Sequence, residues 1–483
     1  MSPYLVLGIV LGYFVVLIII SWFTSRKADT QAFFTANRKS PWYLVAFGMV
    51  GATLSGVTFI SVPGEVGNSA FSYLQFVFGN IVGYWLVAGI LLPLYYRMNL
   101  VSIYSFLDTR FGPKSYKTGS FFFLISKLIG AAFRLFLVAG VLQIAFFDAF
   151  NIPFALTVVV TIALIWVYTF KGGIKTIVWT DTLQTLFLVS AVVFTIVAIS
   201  RSLNLNMAGL IETITEDKNS RLFFWDWRMG NNFFKQFISG MFITIVMVGM
   251  DQDMMQKNLT CKNKREAQKN MLVFSLAFLL TVVLFLCLGV MLYIFAREHG
   301  ISIPETTDDL YPMLALKYFG LPVGIAFLLG ITAAAYSSAD SALTALTTSF
   351  TVDFLKIERF EEKKKQRLKM LSHLFFSVLL ILVILLFKAV NNESIVVAVF
   401  KVAGYTYGPI LGLFLFGIYS KRKVNDKAVP AVAIIAPVLC YFISIYSELL
   451  FNGYQFGFEL LILNGAFTVL GLLLISKKHA VKN

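Results

Sequence analysis

The chain has 483 residues, of which 58% are hydrophobic and only 13% charged, and its formal net charge is +15. Soluble domains run at roughly 45–50% apolar and about 25% charged, so a soluble globular protein is excluded and hydrocarbon is the main solvent. The excess of lysine and arginine falls in loops between apolar runs, which fits membrane topology and excludes nucleic acid as a partner.

Apolar windows of about 20 residues predict about thirteen membrane spans. They lie near 3–23, 41–67, 72–96, 118–148, 153–170, 176–200, 233–254, 270–296, 320–350, 370–388, 393–419, 428–449 and 455–476. The first follows Met1-Ser2-Pro3-Tyr4, which has no basic run, so it reads as a retained span rather than a cleaved signal. About 29 of the 40 Lys and Arg fall after the odd-numbered spans up to the eleventh and in the C-terminal tail, Arg26, Lys27, Lys257 and Lys478 among them. The positive-inside rule then predicts an N-terminus outside and a C-terminus in the cytoplasm of a plasma (inner) membrane. Cys261, Cys287 and Cys440 show neither metal-ligand spacing nor a disulfide framework.

Four spans carry unusual polar residues. The second, from Gly48 to Glu65, is rich in glycine and hydroxyl residues and contains Pro63. It reads either as an unwound segment offering backbone ligands or as a close helix-packing surface. The fourth holds Lys127, placed at an interface by snorkelling, and the deeper Arg134. A guanidinium does not deprotonate, so Arg134 needs an anion: Asp181, Asp340, Glu65 or the carboxylate of a solute. The sixth places Asp181 just inside the hydrocarbon, at a cost of roughly 2.5–3.5 kcal/mol or more, which marks it as functional with a small cation as the natural partner. In the ninth, Ser337, Asp340, Ser341 and Thr344 share one helix face by their spacing. Such oxygens suit a hard cation.

Enzyme motifs are lacking: there is no HExxH, GxSxG or Walker phosphate loop, and His299, His373 and His479 are far apart. The chain reads as a binding and gating device, not an enzyme.

Several runs resemble the sodium:solute symporter family. They are Gly172-Gly173 with Trp179-Thr180-Asp181 and Gln184, Ser337-Ser338-Ala339-Asp340-Ser341 followed by Phe350-Thr351-Val352-Asp353, Asp251-Gln252 with Gln256, and Ala403-Gly404-Tyr405-Thr406-Tyr407-Gly408-Pro409. The resemblance covers nearly the whole chain. It implies an all-α polytopic membrane protein with a leucine-transporter-like (LeuT-like) fold of two inverted five-helix repeats. Within a single transporter domain, 1–40 would be an extra helix and loop, 41–200 the first repeat, 233–420 the second, and 428–483 two C-terminal helices and a tail. Broken helices are expected near 48–60 and 238–252.

The same resemblance implies sodium as the coupling ion. Its main site would use the carbonyls of Gly51, Leu54 and Ala334 and the hydroxyls of Ser337 and Ser338. A second sodium site would use Asp181 with Ser337 and Ser341, where Asp340 departs from the family's usual hydroxyl residue. Thr53, Ser55, Thr58, Tyr73, Gln75 and Arg134 would line the solute site, by similarity to sialic acid transporters. Val62-Pro63-Gly64-Glu65 resembles the iodide, vitamin and monocarboxylate branch. The expectation is sodium-coupled import of a small, anionic organic solute by a monomer in the lipid bilayer. A sodium/sugar or sodium/vitamin symporter is the alternative within the family; a membrane sensor or transceptor and a channel are the rivals outside it.

Overall fold

The computed structural model describes residues 3–25, 36–100, 102–390 and 395–477. Arg26, Lys27, Lys478 and Lys482 of the basic count, and the last histidine, His479, lie outside the described residues, as do the side chain of Lys175 and the surroundings of Gly172 and Gly173 in the sixth-span motif. The described chain is helical apart from short turns and a two-residue antiparallel ribbon that pairs Lys423–Val424 with Ser476–Lys477.

The helices in chain order are α1 (Pro3–Ser25), α2 (Trp42–Thr53), α3 (Gly56–Ser69), α4 (Ser72–Arg97), α5 (Ser105–Arg110), α6 (Pro113–Ala145) and α7 (Phe154–Ser202). There follow α8 (Met207–Glu216), α9 (Phe233–Gly249), α10 (Gln252–Asn258), α11 (Lys264–Glu298), α12 (Leu310–Lys317) and α13 (Leu321–Phe354). The last are α14 (Glu362–Val390), α15 (Ile395–Thr406), α16 (Gly408–Tyr419), α17 (Val429–Ile445) and α18 (Leu460–Leu474). Among the described residues, eight helices are long and apolar enough to cross a membrane, and up to eleven spans result when each bent pair counts as one. Two shorter apolar helices, Phe154–Trp166 and Leu460–Leu474, stand where the fifth and thirteenth spans were predicted.

The fifth and sixth predicted spans are joined in α7. Its two legs run in opposite directions. Phe150, just before the helix, packs on Tyr4 at one end of α1. Thr176 hydrogen bonds with Thr24 at the other end of α1, and Gln184 then returns to Tyr13.

Three spans are bent. The α2–α3 pair turns by 53° at Leu54–Ser55, the α9–α10 pair by 70° at Met250–Asp251, and the α15–α16 pair by 44° at Tyr407. The first two fall in the windows expected from the sequence; the third was read as one unbroken span. Pro63 is not the breaker of the first, since it lies inside α3. The break comes where three weak helix formers, Thr53, Ser55 and Gly56, fall within four residues. Unwound backbone survives at membrane depth only inside protein, and Leu54 and Ser55 are both buried.

α13 is the central helix. Every residue from Gly330 to Ser349 on it is buried, so its serines and its acid face protein and not lipid. The outer helices do the reverse: Leu280, Leu386 and Leu470 point outward. On a soluble monomer such a surface would mark an interface, but hydrocarbon solvates it directly. Small residues let the inner helices close up. A Cβ on Gly79 of α4 would sit 1.8 Å from the Phe237 carbonyl of α9, and one on Gly240 of α9 would sit 2.0 Å from the Phe76 carbonyl.

Candidate ion and solute site

The site begins at the broken span. α2 lies along the second leg of α7 through Gly48 and Gly51. A Cβ on Gly48 would approach the Asp181 Cβ to 3.2 Å, and one on Gly51 would come within 2.1 Å of the Thr185 hydroxyl. Thr185 Oγ1 in turn donates to the Phe47 carbonyl at 3.0 Å, and also contacts the Asp181 carbonyl at 2.7 Å. The glycines therefore serve close packing, and that packing carries the helix end to the acid. The second span is thus a close-packing surface at Gly48 and Gly51 and unwinds at Leu54–Ser55.

The two main breaks treat their freed backbone differently. At the second, the Gly249 carbonyl accepts from Tyr95 Oη and the Met250 carbonyl from Tyr104 Oη, each at 2.7 Å. The Gln252 side chain accepts from the Ile103 amide at 2.9 Å. At the first, the Leu54 amide donates to Val50 (2.8 Å) and the Ser55 amide turns back to Thr53 (3.0 Å). No amide or side chain among the described residues donates to the carbonyls of Gly51 and Leu54. Buried carbonyls are nearly always paired, so these two are ready ligands for a cation.

Facing them, α13 packs on α2 and supplies hydroxyls. Ser338 Oγ and Ser341 Oγ are buried without a hydrogen-bond partner among the described residues, as is Thr53 Oγ1 at the end of α2. Ser337 Oγ donates its proton to Asp181 Oδ1 at 2.5 Å and keeps its lone pairs for a further partner.

Asp181 has a partner that the sequence reading missed. Its Oδ2 lies 2.9 Å from Lys257 Nζ, and both side chains are 1% exposed. Lys257, counted above among the loop bases, is thus a buried intramembrane residue. Lys127 is not at an interface either: its Nζ is 2.8 Å from Asp253 Oδ2 and 3.3 Å from Asp251 Oδ1. Asp253 also lies 3.9 Å from Lys257, and Tyr407 Oη donates to Asp251 Oδ2 at 2.7 Å. A charged chain therefore runs from Asp181 through Lys257, Asp253 and Lys127 to Asp251 and Tyr407. α10 builds it: Asp251 caps the helix by accepting from the amides of Asp253 and Met254, which aims Asp253 and Lys257 one turn apart on one face. The spacing of Asp251, Asp253 and Lys257 directly after the apolar stretch Met241–Met250 was the available sequence signal. Asp340 is fully buried and lies close enough to act on the Lys257 charge. Asp353, in the second motif, is a tie between helices: it accepts from Tyr116 (2.6 Å), Ser120 (2.8 Å) and Ser349 (2.6 Å).

A cleft of about 1110 Å³, counting the space open at its mouth, lies beside the first break. Thr53, Ser55, Thr58, Tyr73 and Arg134 line it, together with Lys127, Asp251, Asp253, Phe76, Asn80, Phe400 and Tyr407. Gln75 does not line it. That side chain is fully buried and holds the loop before α9, donating to the Asn231 carbonyl (3.0 Å) and accepting from the Phe224 amide (3.1 Å). Arg134 is half-buried and takes part in no ion pair within 4.0 Å among the described residues. Of the anions open to Arg134, Asp181 is paired with Lys257 instead.

Comparison with known proteins agrees with this architecture. The chain is 26% identical over 431 residues to the sodium/sialic acid symporter NanT of Aliivibrio fischeri, covering 86% of this chain and 83% of that protein. It is 24% identical over 452 residues to the sodium/sialic acid symporter SiaT of Proteus mirabilis, covering 88% and 87%. To the human sodium/iodide cotransporter it is 24% identical over 413 residues, 81% of this chain and 62% of that one. In three dimensions it superposes on a Na+-coupled sialic acid symporter, solved substrate-bound and outward-open, with a TM-score of 0.81 over 98% of this chain and 99% of that one at 19% identity. It also superposes on Mhp1, a nucleobase-cation-symport-1 transporter in a closed conformation, with a TM-score of 0.53 over 92% and 94% at 12% identity. The fold is therefore the LeuT-like inverted-repeat fold. Residues 33–434 match the profile of one family. The chain belongs to the sodium:solute symporter family, a family of membrane transporters and not of enzymes.

Proposed function

We propose that this protein imports a small organic anion, coupled to sodium, by alternating access. The observation that carries the anion is Arg134. It stands in the cleft next to the broken span, and the acids around it are engaged by the two lysines. Guanidinium presents a planar fork that matches a carboxylate. The named relatives carry sialic acid or iodide, both anions, which supports this choice over a neutral sugar. Solute contacts come from Thr53, Ser55, Thr58, Tyr73 and Arg134. Sodium is held by the carbonyls of Gly51, Leu54 and Ala334 with the hydroxyls of Ser337 and Ser338, so ion and solute share α2 and the break after it. Filling one then favours filling the other, a coupling that is reciprocal.

The repeats of this reading are 41–200 and 233–420, each opened by a bent span; residues 1–40 and 428–483 flank them. All thirteen predicted spans cross the plasma (inner) membrane, including the two short helices, and the chain works as a monomer. The N-terminus is outside. The basic ends gather at one end of the bundle, which supports this: the Ser40 amide donates to the Thr260 carbonyl, the Arg110 guanidinium to the carbonyls of Gly417 and Arg422, and the Lys114 amide to the Asp426 carboxylate.

Reconstitution tests the proposal. In proteoliposomes, uptake of sialic acids or monocarboxylates is expected to require an inward sodium gradient. Full-rate uptake without sodium overturns the coupling; uptake of sugars but of no anion overturns the assignment of Arg134. A thermal-shift screen of both classes, with and without sodium, picks the solute, since stabilisation follows occupancy.

A further inference from the structure

We infer that Lys257 is a built-in counter-ion that takes the place of a second sodium ion, so that one sodium and not two binds per chain. This rests on the sodium coupling proposed above. A second sodium would use the Asp181 carboxylate with the hydroxyl of Ser337, which touches that acid, and that of Ser341, buried one turn further along α13. The position is filled by a side chain. Lys257 Nζ is 2.9 Å from Asp181 Oδ2, and Ser337 donates to Oδ1 at 2.5 Å, so both carboxylate oxygens are engaged. With each side chain 1% exposed, bulk solvent does little to screen the pair. A sodium ion entering beside this ammonium would meet a like charge in a low dielectric, with the acid already neutralised.

The lysine is also held from behind. Asp253, one turn back on α10, lies 3.9 Å from Nζ and is itself paired to Lys127 at 2.8 Å. The tethered cation therefore belongs to the second broken span, while Asp181 belongs to α7 of the first repeat. A sodium ion there would bind and leave in each cycle; an ammonium on a side chain stays and ties the two repeats together. Its charge equals that of sodium, but it carries no dependence on the sodium concentration.

The test needs no solute. The purified full-length chain is titrated with radioactive sodium in detergent. Saturation is expected at one ion per chain with a Hill coefficient near 1. In Lys257→Ala the Asp181 oxygens become available, and saturation is expected at two ions per chain; adding Asp181→Asn to that variant returns it to one. Two ions on the unmodified chain, or one ion on a folded Lys257→Ala, overturn the inference. No sodium binding by the unmodified chain overturns the sodium coupling itself, which is a different result. Where Lys257→Ala does not fold, the pair is removed together as Asp181→Asn with Lys257→Gln. One ion per chain is then expected, and loss of the single ion shows that Asp181 was its ligand and refutes the assignment.

Discussion

Ser338 shows how one atom carries the ion argument. Its Oγ is buried on the central helix and has no hydrogen-bond partner among the described residues. A hydroxyl left so costs about 1–3 kcal/mol, which contact with a cation offsets. Removing it is therefore expected to raise the sodium concentration for half-maximal uptake by roughly tenfold or more in Ser338→Ala. Uptake measured against sodium at saturating solute checks this, and an unchanged curve removes Ser338 from the site. Arg134 makes the second residue-scale prediction. A lysine keeps the charge but loses the bidentate fork, so Arg134→Lys is expected to weaken carboxylate binding about tenfold, since charged hydrogen bonds are worth about 1.5–3 kcal/mol. Equal affinity in a thermal-shift titration would show that the guanidinium does not grip the solute. Arg134 and Ser338 were both legible in the sequence, because a cation and a hydroxyl face inside an apolar run stand out. Gln75 was misread, since an amide beside a cleft and an amide that pins a loop look alike without the partner at Asn231.

At the scale of elements, α4 and α9 meet through glycine. Their backbones approach so closely that a Cβ at Gly79 or Gly240 would collide with a carbonyl, which cannot rotate away. Gly240→Val is expected to lower the melting temperature in detergent by several degrees, since overpacking costs about 1–3 kcal/mol or more. Gly8→Ala on α1 is the control: its Cβ meets nothing within 4 Å, and alanine favours helix, so no loss is expected. Equal melting temperatures for Gly240→Val and the unmodified chain would mean that the helices do not close on these glycines. The breaks at Leu54–Ser55 and Met250–Asp251 were foreseeable from composition and resemblance. How each is resolved was not: one has its carbonyls met by Tyr95 and Tyr104, and the other leaves Gly51 and Leu54 open.

For the whole molecule, orientation and coupling are the properties at issue. The chain at Ser40 and the loops after α4, α10 and α16 meet at one end, where Arg38, Lys39, Arg110, Lys262, Lys421, Arg422, Lys423 and Lys427 fall. A membrane-impermeant thiol reagent applied to intact cells is expected to leave a single cysteine at Lys364→Cys unlabelled, in a chain lacking Cys261, Cys287 and Cys440, and to label it once the membrane is opened. Labelling on intact cells would invert the topology. The same end holds the Asp353 tie between α6 and α13, so the motif that marks the family at residues 350–353 fixes the bundle and does not touch the cleft.

The sequence by itself determined that this chain lives in a membrane, where most of its apolar helices run, that the second span is easily broken, and that Ser337, Asp340 and Ser341 share one face. Those are local matters: hydropathy over about 20 residues, helical spacing, and weak helix formers close together. Only the tertiary structure decided who pairs with whom. Asp181 looked like a charge waiting for sodium, and Lys257 like one loop base among many. The 70° bend after α9 turns α10 inward and brings that base to 2.9 Å from the acid. Ion pairs between helices depend on how the helices cross, and no pattern within one helix records that.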